Sequence, residues 1–224
     1  MVDLSAAVVR SAFAAGARLR HARVLHPDGL NLSGRLHAEY QFENLFGSGE
    51  RAVIARMSKG TGLPGAVPDV LGFAFRVLDR DDKPWDFALA TTGRSTVGRF
   101  VITVATGWAR ARYGGLMPYR FGNSTPTWVF AEPDAAQPNS ASIEALEEYL
   151  GEHEVHFDLV GSPIGGRTSK LAEINLRLAE GEHRTDYFDP MINHPAEVEM
   201  VPKVIRQLRE VAYAGSRRGR GEAP

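Results

Sequence analysis

The sequence predicts an α+β protein: an antiparallel β-barrel or sheet with a few added helices. Three observations predict this fold class. Many short segments alternate apolar and polar residues between turns, one late segment is strongly helical, and strands do not alternate with helices as in parallel α/β proteins. A chain of 224 residues with 43% hydrophobic content suits one domain over residues 1–224, with a core of its own.

Strand patterns dominate the first half of the chain. Leu36, Ala38, Tyr40 and Phe42 alternate with more polar residues, which predicts a half-buried strand within residues 32–45. The next predicted strands cover residues 52–58, 72–78 and 85–89; a Gly- and Pro-rich loop covers 61–65, and a polar turn covers 79–83.

The second half mixes strands and helices. Residues 99–113 are predicted to be helical or mixed, and further strands are predicted over 127–131, 154–160 and 171–178. Helices are predicted over 5–19, 144–150 and 202–213. The last of these has Pro202 in its first turn and an apolar stripe through Leu208 and Val211. A Gly- and Arg-rich tail over about 215–224 is expected to be a flexible end.

Composition excludes several function classes. The chain has no cysteine, so disulfides, zinc–thiolate sites, iron–sulfur clusters and a thiolate haem ligand are excluded. A net charge of −1 offers no basic field for nucleic acid. Arginines interrupt the apolar start of the chain, and no apolar run approaches the ~20 residues of a membrane span. We therefore expect a soluble, cytoplasmic protein with no nucleic-acid partner and no membrane span.

Two patterns in the first half suggest chemistry. His26 precedes Pro27 where a loop meets a strand, and its side chain titrates near neutral pH, which suits a general acid–base; the alternative is a structural histidine. Arg56 and Ser58 are two residues apart on a predicted strand and should share one face. An inward arginine there would require an anion, whereas the alternative is a solvated strand face.

Two further patterns lie near the end of the chain. Arg209 and Tyr213 are one helical turn apart, so the guanidinium can reach the phenol oxygen and favour the phenolate; the alternative is an ordinary surface pair. Arg220 belongs to an arginine-rich stretch that can meet carboxylates of a ligand or simply solubilise the tail. His153 and His156 hint at a metal, but three-residue spacing on a strand points them to opposite faces.

Taken in order, these motifs resemble the haem catalase family. The segment from Arg23 to His26 looks like the family's R-V-V-H, and Arg56-Met57-Ser58 is similar to R-F-S. The stretch from Gly72 to Arg76 looks like G-F-A-x-[KR], Trp85-Asp86 like W-D, and Phe188-Asp189-Pro190 like F-D-P; R-x-x-x-Y follows at Arg209 and Tyr213. The resemblance covers most of the chain and is weakest over residues 101–184.

The resemblance implies a catalase-type barrel with haem b buried between the barrel and the C-terminal helix. It implies that Tyr213 ligates the iron and that Arg209 keeps it ionised. It also implies that His26 is the distal base, oriented by Ser58, and that Arg23, Arg56 and Arg220 bind the haem propionates. The expected activity is that of a peroxidase or catalase-like oxidoreductase, using a small-molecule peroxide and an electron donor.

The chain also departs from the family. Ala90 stands at the expected place of the distal asparagine, so we expect weak dismutation of hydrogen peroxide. The chain is short, so we expect it to lack the family's N-terminal arm, wrapping segment and C-terminal helical region. We therefore do not expect the family's interlocked tetramer; a homodimer is one alternative. The alternatives are rearrangement of lipid hydroperoxides, as in allene oxide synthases; a non-enzymatic haem-binding or redox-sensing module; and a small-molecule carrier without haem.

Overall fold

In a computed structural model, the protein is described over residues 28–95, 98–115, 117–163, 165–180 and 187–201. Ten strands occur in these ranges: β1 (Gly29–Ala38), β2 (Glu50–Lys59), β3 (Leu71–Leu78), β4 (Pro84–Thr91), β5 (Tyr113–Gly114), β6 (Tyr119–Phe121), β7 (Thr127–Pro133), β8 (Val155–Pro163), β9 (Ser169–Leu178) and β10 (Val198–Met200). The helices are α1 (Glu43–Phe46), α2 (Ile143–Glu152) and three 3₁₀ helices, Tyr40–Phe42, Gly98–Phe100 and Trp108–Arg110.

Eight of the strands close into an antiparallel barrel. The ring runs β1-β2-β3-β4-β5-β7-β8-β9 and returns to β1, and the pairing of β7 with β8 closes it. The short strands β6 and β10 pair with each other outside the ring and extend it from β7. The predicted antiparallel α+β barrel is therefore confirmed, while its catalase type and the position of a haem stay predictions.

Aromatic side chains fill the inside of the barrel. The ring of Phe73 stacks on Phe75 and Phe157 at centroid distances of 5.1 and 4.4 Å, and Phe75 stacks on Phe87 at 4.6 Å. Tyr113 is fully buried against Phe73 and Phe157, and burial raises the pKa of its phenol. An eight-stranded barrel is just wide enough for side chains to fill it, so a bound ring would lie outside the lumen.

Helix α2 packs on this core. Ser142 caps its N-terminus, where the serine Oγ accepts a hydrogen bond of 3.1 Å from the Ala145 N–H. Leu146 and Leu150, one turn apart, are buried in the main cluster. The predicted helix over 144–150 is therefore confirmed. Over the described ranges, no helix is both long enough and apolar enough to cross a membrane.

Most strand predictions are confirmed, and one is wrong in its extent. The alternation of Ala38, Tyr40 and Phe42 predicted a continuing strand, but β1 ends at Ala38 and a 3₁₀ helix follows. The Phe42 N–H donates to the Glu39 carbonyl at 2.7 Å, and Tyr40 is 88% exposed. The chain must turn here to return as β2, and alternating residues fit a tight turn as well as a strand. Residues 99–113 are mixed, as predicted.

Candidate functional site

The outer face of strands β1 to β4 carries unusually small side chains. Core residues such as Met57, Phe73 and Leu89 point inward, so their neighbours along each strand point outward. The strand register aligns the outward residues in two rows, one of Gly29, Ser58, Gly72 and Ala90 and one of Asn31, Arg56, Ala74 and Ala88. We call Gly72, Ala74, Ala88 and Ala90 the small-residue floor.

Arg56 and Ser58 lie on one edge of this floor. They share the outward face of β2, next to Ala74 and Gly72 respectively. The Arg56 Nη1 donates long hydrogen bonds to the Gly29 carbonyl at 3.3 Å and to the Asn31 Oδ1 at 3.4 Å, and Ser58 is only 5% exposed. The two residues therefore lie together, as the strand spacing predicted. Their roles toward a propionate and toward His26 stay predictions.

Ala90 forms a corner of the floor in the row of Ser58. It pairs with Gly72 on β3 and with Gly114 on β5, and its methyl group points outward. The residue expected to replace the family's asparagine thus shares the face that carries Arg56 and Ser58. A methyl group can neither donate nor accept a hydrogen bond, so this corner offers a ligand only apolar contact.

A buried ion pair borders the floor one row beyond Ala74 and Ala88. Asp86 is fully buried; its carboxylate accepts from the Arg76 Nε at 2.6 Å and the Arg76 Nη2 at 2.9 Å. The same carboxylate accepts from the Asp189 N–H at 2.7 Å and the Asn193 Nδ2 at 2.8 Å. Asp86 also donates its own N–H to the Asn193 carbonyl at 2.9 Å. We call these four residues the Asp86 clamp.

The Asp86 clamp joins three of the motifs singled out in the sequence. Arg76 ends the G-F-A-x-R pattern, Asp86 belongs to W-D, and Asp189 belongs to F-D-P. The clamp fastens residues 187–201 to the outer face of β3 and β4, one row from the floor. This segment ends where the Val201 N–H donates to the Pro118 carbonyl at 3.0 Å, directly before the predicted helix of Arg209 and Tyr213.

The other predicted site residues lie outside the described ranges. They are Arg23, His26, Arg209, Tyr213 and Arg220, together with the predicted helices over 5–19 and 202–213. Their placement around a haem stays a prediction.

The described residues fit a haem on three counts. The floor is flat because the adjacent strands β3 and β4, about 5 Å apart, present nothing larger than a methyl group in these two rows. It is apolar, and Ala74, Ala88 and Ala90 are only half-buried. Arg56 supplies at its edge a cation suited to bidentate contact with a carboxylate. A porphyrin is likewise a flat apolar ring with carboxylates on one side.

Two features bear on metal ligands. The His153 ring stacks on Tyr149, and the His156 Nδ1 lies 2.6 Å from the Asn175 Oδ1, so each ring is engaged separately. Among the described side chains, no group of three or more His, Asp or Glu residues is arranged to hold a metal ion. The predicted ligand Tyr213 is not among those side chains.

The sequence reasoning missed one group of charged residues. Arg94, Arg110 and Arg112 line a cavity beyond the end of β4. The available signal was composition, because these arginines and Arg99 fall within one short stretch of chain. Nothing in their spacing indicated that β4 and β5 would bring them together.

Comparison with known proteins adds no family assignment. No protein-family model matches the chain, and no curated protein matches it.

Proposed function

We propose that this protein is a haem-dependent peroxidase that acts on hydrogen peroxide or organic hydroperoxides. One observation carries the proposal. Motifs that are far apart in sequence meet on one outer face of the barrel, where Arg56, Ser58 and the Asp86 clamp surround a floor of very small side chains. A bare, flat, apolar patch with a cation at its edge is suited to a planar ring that carries carboxylates.

The chain's residues would hold haem b in a defined orientation. The small-residue floor would face the ring, and Arg56, with Arg23 and Arg220, would bind the propionates. Tyr213 would supply the iron ligand, and the neighbouring cation of Arg209 would keep it ionised. When bound, the haem supplies an iron centre that accepts electrons from a donor and delivers them to a peroxide.

The proton chemistry falls to His26. Its imidazole would take a proton from one peroxide oxygen and return it to the departing oxygen, with Ser58 holding the ring in place. An organic donor would supply the electrons, so that a hydroperoxide becomes an alcohol and water. Ala90 provides no amide to hold a second peroxide molecule, so dismutation of hydrogen peroxide would be slow relative to peroxidase turnover.

An absorption spectrum of the purified, haem-supplemented protein tests the proposal. We expect a high-spin ferric haem band in the wild type and its loss or shift in Tyr213→Phe. Arg56→Leu should weaken haem binding, whereas Arg35→Leu, on the outer face of β1 and paired with Glu50, should not. A spectrum indifferent to Tyr213→Phe would remove Tyr213 as the ligand, and the absence of a haem band would remove the cofactor.

Ala90 favours one second candidate, the rearrangement of lipid hydroperoxides. A methyl group at the corner of the floor leaves more room for a bulky substituent than an asparagine would. The two activities differ in stoichiometry, because a peroxidase takes two electrons and two protons from its donor for each hydroperoxide, whereas a rearrangement consumes no donor. Turnover of a lipid hydroperoxide without donor oxidation or oxygen release would favour the second candidate.

A further inference from the structure

A cavity of about 240 Å³ lies at the rim of the barrel, just beyond the end of β4. Its walls come from the chain that follows β4, from residues 103–106 and from the 3₁₀ helix at Trp108–Arg110 with the residues that follow it. Arg94, Arg110 and Arg112 all line it. A surface cavity with three guanidinium groups is a candidate anion site.

The positive charge around this cavity is only partly balanced. The Arg112 Nε bonds the Glu132 Oε1 at 2.9 Å. Arg94 and Arg110 instead use neutral acceptors: the Arg94 Nη2 donates to the Arg110 carbonyl at 3.3 Å, and the Arg110 Nε donates to the Asn139 Oδ1 at 3.3 Å. Neither forms an ion pair within the part of the chain that the structure describes. Three cations and one carboxylate leave the cavity positive.

Like charges are crowded here at an electrostatic cost. Burial lowers the pKa of Arg112, and the neighbouring charges of Arg94 and Arg99 lower it further, while Glu132 raises it. A bound anion would relieve this repulsion, because it adds opposite charge among the three cations.

The Thr92 side chain lines the cavity, but its hydroxyl is turned toward Gly114. Thr92 lines the cavity and is 4% exposed, and its hydroxyl has no hydrogen-bond partner among the described residues. The hydroxyl oxygen is shielded from solvent and lies beside Gly114, where a Cβ would stand 2.7 Å from it. An anion in the cavity would therefore be held by the guanidinium groups.

Apolar side chains stand beside the charged wall. Val101, Ile102 and Val104 are 53%, 45% and 66% exposed, and Val104 itself lines the cavity. A run of exposed branched apolar side chains next to arginines favours a ligand with both an anionic group and an apolar part.

We propose that this cavity binds the carboxylate of an apolar organic acid, whose hydrocarbon part lies on Val101, Ile102 and Val104. Arg94 and Arg110 would bind the carboxylate oxygens in bidentate fashion. The cavity begins about 7 Å beyond Ala90 along the strand direction, so competition with haem is part of the test.

Calorimetric titration of the haem-free full-length protein with decanoate at neutral pH tests the site. The double variant Arg94→Gln, Arg110→Gln should bind decanoate at least about tenfold more weakly. Arg120→Gln, an arginine on β6 outside the cavity, serves as the matched control and should bind as the wild type does. Val104→Ser should weaken decanoate several-fold and leave the thermal unfolding temperature unchanged.

Three control ligands and one competition experiment test whether the cavity requires both a carboxylate and a hydrocarbon chain. Decanol, acetate and inorganic phosphate should each bind more weakly than decanoate. Equal affinity for phosphate, or for decanol, would overturn the assignment to an apolar carboxylate, as would unchanged decanoate binding in the double variant. Displacement of decanoate by haem would also overturn it, because the arginines would then belong to the haem site.

Discussion

Two neighbouring parts of the barrel's outer face are built in opposite ways. On β3 and β4, next to the Asp86 clamp, the outward residues are those of the small-residue floor, Gly72, Ala74, Ala88 and Ala90. On β7 the outward residues include Trp128 and Phe130, across which lie the guanidinium groups of Arg99 and Arg112. One row of paired residues crosses from the first part to the second through Gly114, whose missing Cβ leaves room for the Phe130 ring.

The two parts differ in whether their own side chains cover the sheet. The β7 side covers its own sheet, because the Phe130 ring is fully buried and the Arg112 guanidinium stacks on it at 3.7 Å. On the β3–β4 side the outward methyl groups are half-buried and are too small to cover the sheet. A sheet face without large side chains is suited to cover from another group, and residues 187–201 are already fastened beside it by the Asp86 clamp. Four variants test this contrast.

The largest effect is expected from breaking the clamp. Asp86→Ala leaves Arg76 without its buried carboxylate and removes the oxygen that accepts two hydrogen bonds from residues 187–201, which should cost about 3–4 kcal/mol of unfolding free energy. Urea denaturation measures the loss. Glu50→Ala, which removes an exposed partner of Arg35, should cost less than about 1 kcal/mol. Similar losses in the two variants would mean that the clamp does not hold this side of the barrel.

The next effect is expected from filling the floor. Ala74→Trp places an indole where the ring of the proposed haem would lie, and should weaken haem binding by about 100-fold or more, about 2.7 kcal/mol. Ala52→Trp is the matched control, because Ala52 also points outward from β2 but lies two rows beyond the floor. Haem titration followed at the main absorption band measures both. Undiminished affinity in Ala74→Trp would show that haem does not bind on this face.

Asp69 joins the loop before β3 to the segment that lines the arginine cavity, and its variant should show a pH-dependent effect. Its backbone pairs with Ala105 of the cavity wall. Burial raises the pKa of its carboxyl, but hydrogen bonds from the Thr61 N–H and hydroxyl and from the Leu63 and Val70 N–H groups outweigh this and hold it below its ordinary value. Asp69→Asn should cost about 2 kcal/mol near neutral pH.

The sign of the pH dependence follows from the lowered pKa. The ionised carboxylate stabilises the folded state above the unfolded pKa of about 4, and this contribution is lost as pH falls through the folded value. The difference between wild type and Asp69→Asn should therefore be constant from neutral pH to about 5 and shrink below about 4. Asp134→Asn, at an exposed turn, provides the control. A gap that widens in acid would contradict the assignment.

The spacing of residues within short segments predicted part of the fold and part of the candidate site. Period-two alternation predicted β2, β3 and β4, and the two-residue spacing of Arg56 and Ser58 predicted their common face. The same alternation failed after Ala38, because it also fits a tight turn. Strands β6 and β10, at three residues each, are too short to show a pattern.

The rest depends on contacts that local spacing does not encode. Asp86 and Asp189 are 103 residues apart, and the sequence presented W-D and F-D-P only as separate motifs. The cavity of Arg94, Arg110 and Arg112 likewise arises from the pairing of β4 with β5. That pairing comprises two residue pairs, Ala90 with Gly114 and Thr91 with Tyr113, which leave almost no periodic signal.

The smallest effect concerns the stacked arginine on the β7 side. A double-mutant cycle of Arg112→Leu and Phe130→Leu should give a coupling free energy of about 1 kcal/mol, because the guanidinium lies 3.7 Å from the ring centroid in a partly buried setting. On the floor side, Phe188 lies 6.0 Å from Arg76, and the cycle of that pair should give less than about 0.5 kcal/mol. Thermal unfolding measures both. Equal couplings would mean that the stacked arginine does not distinguish the β7 side from the β3–β4 side.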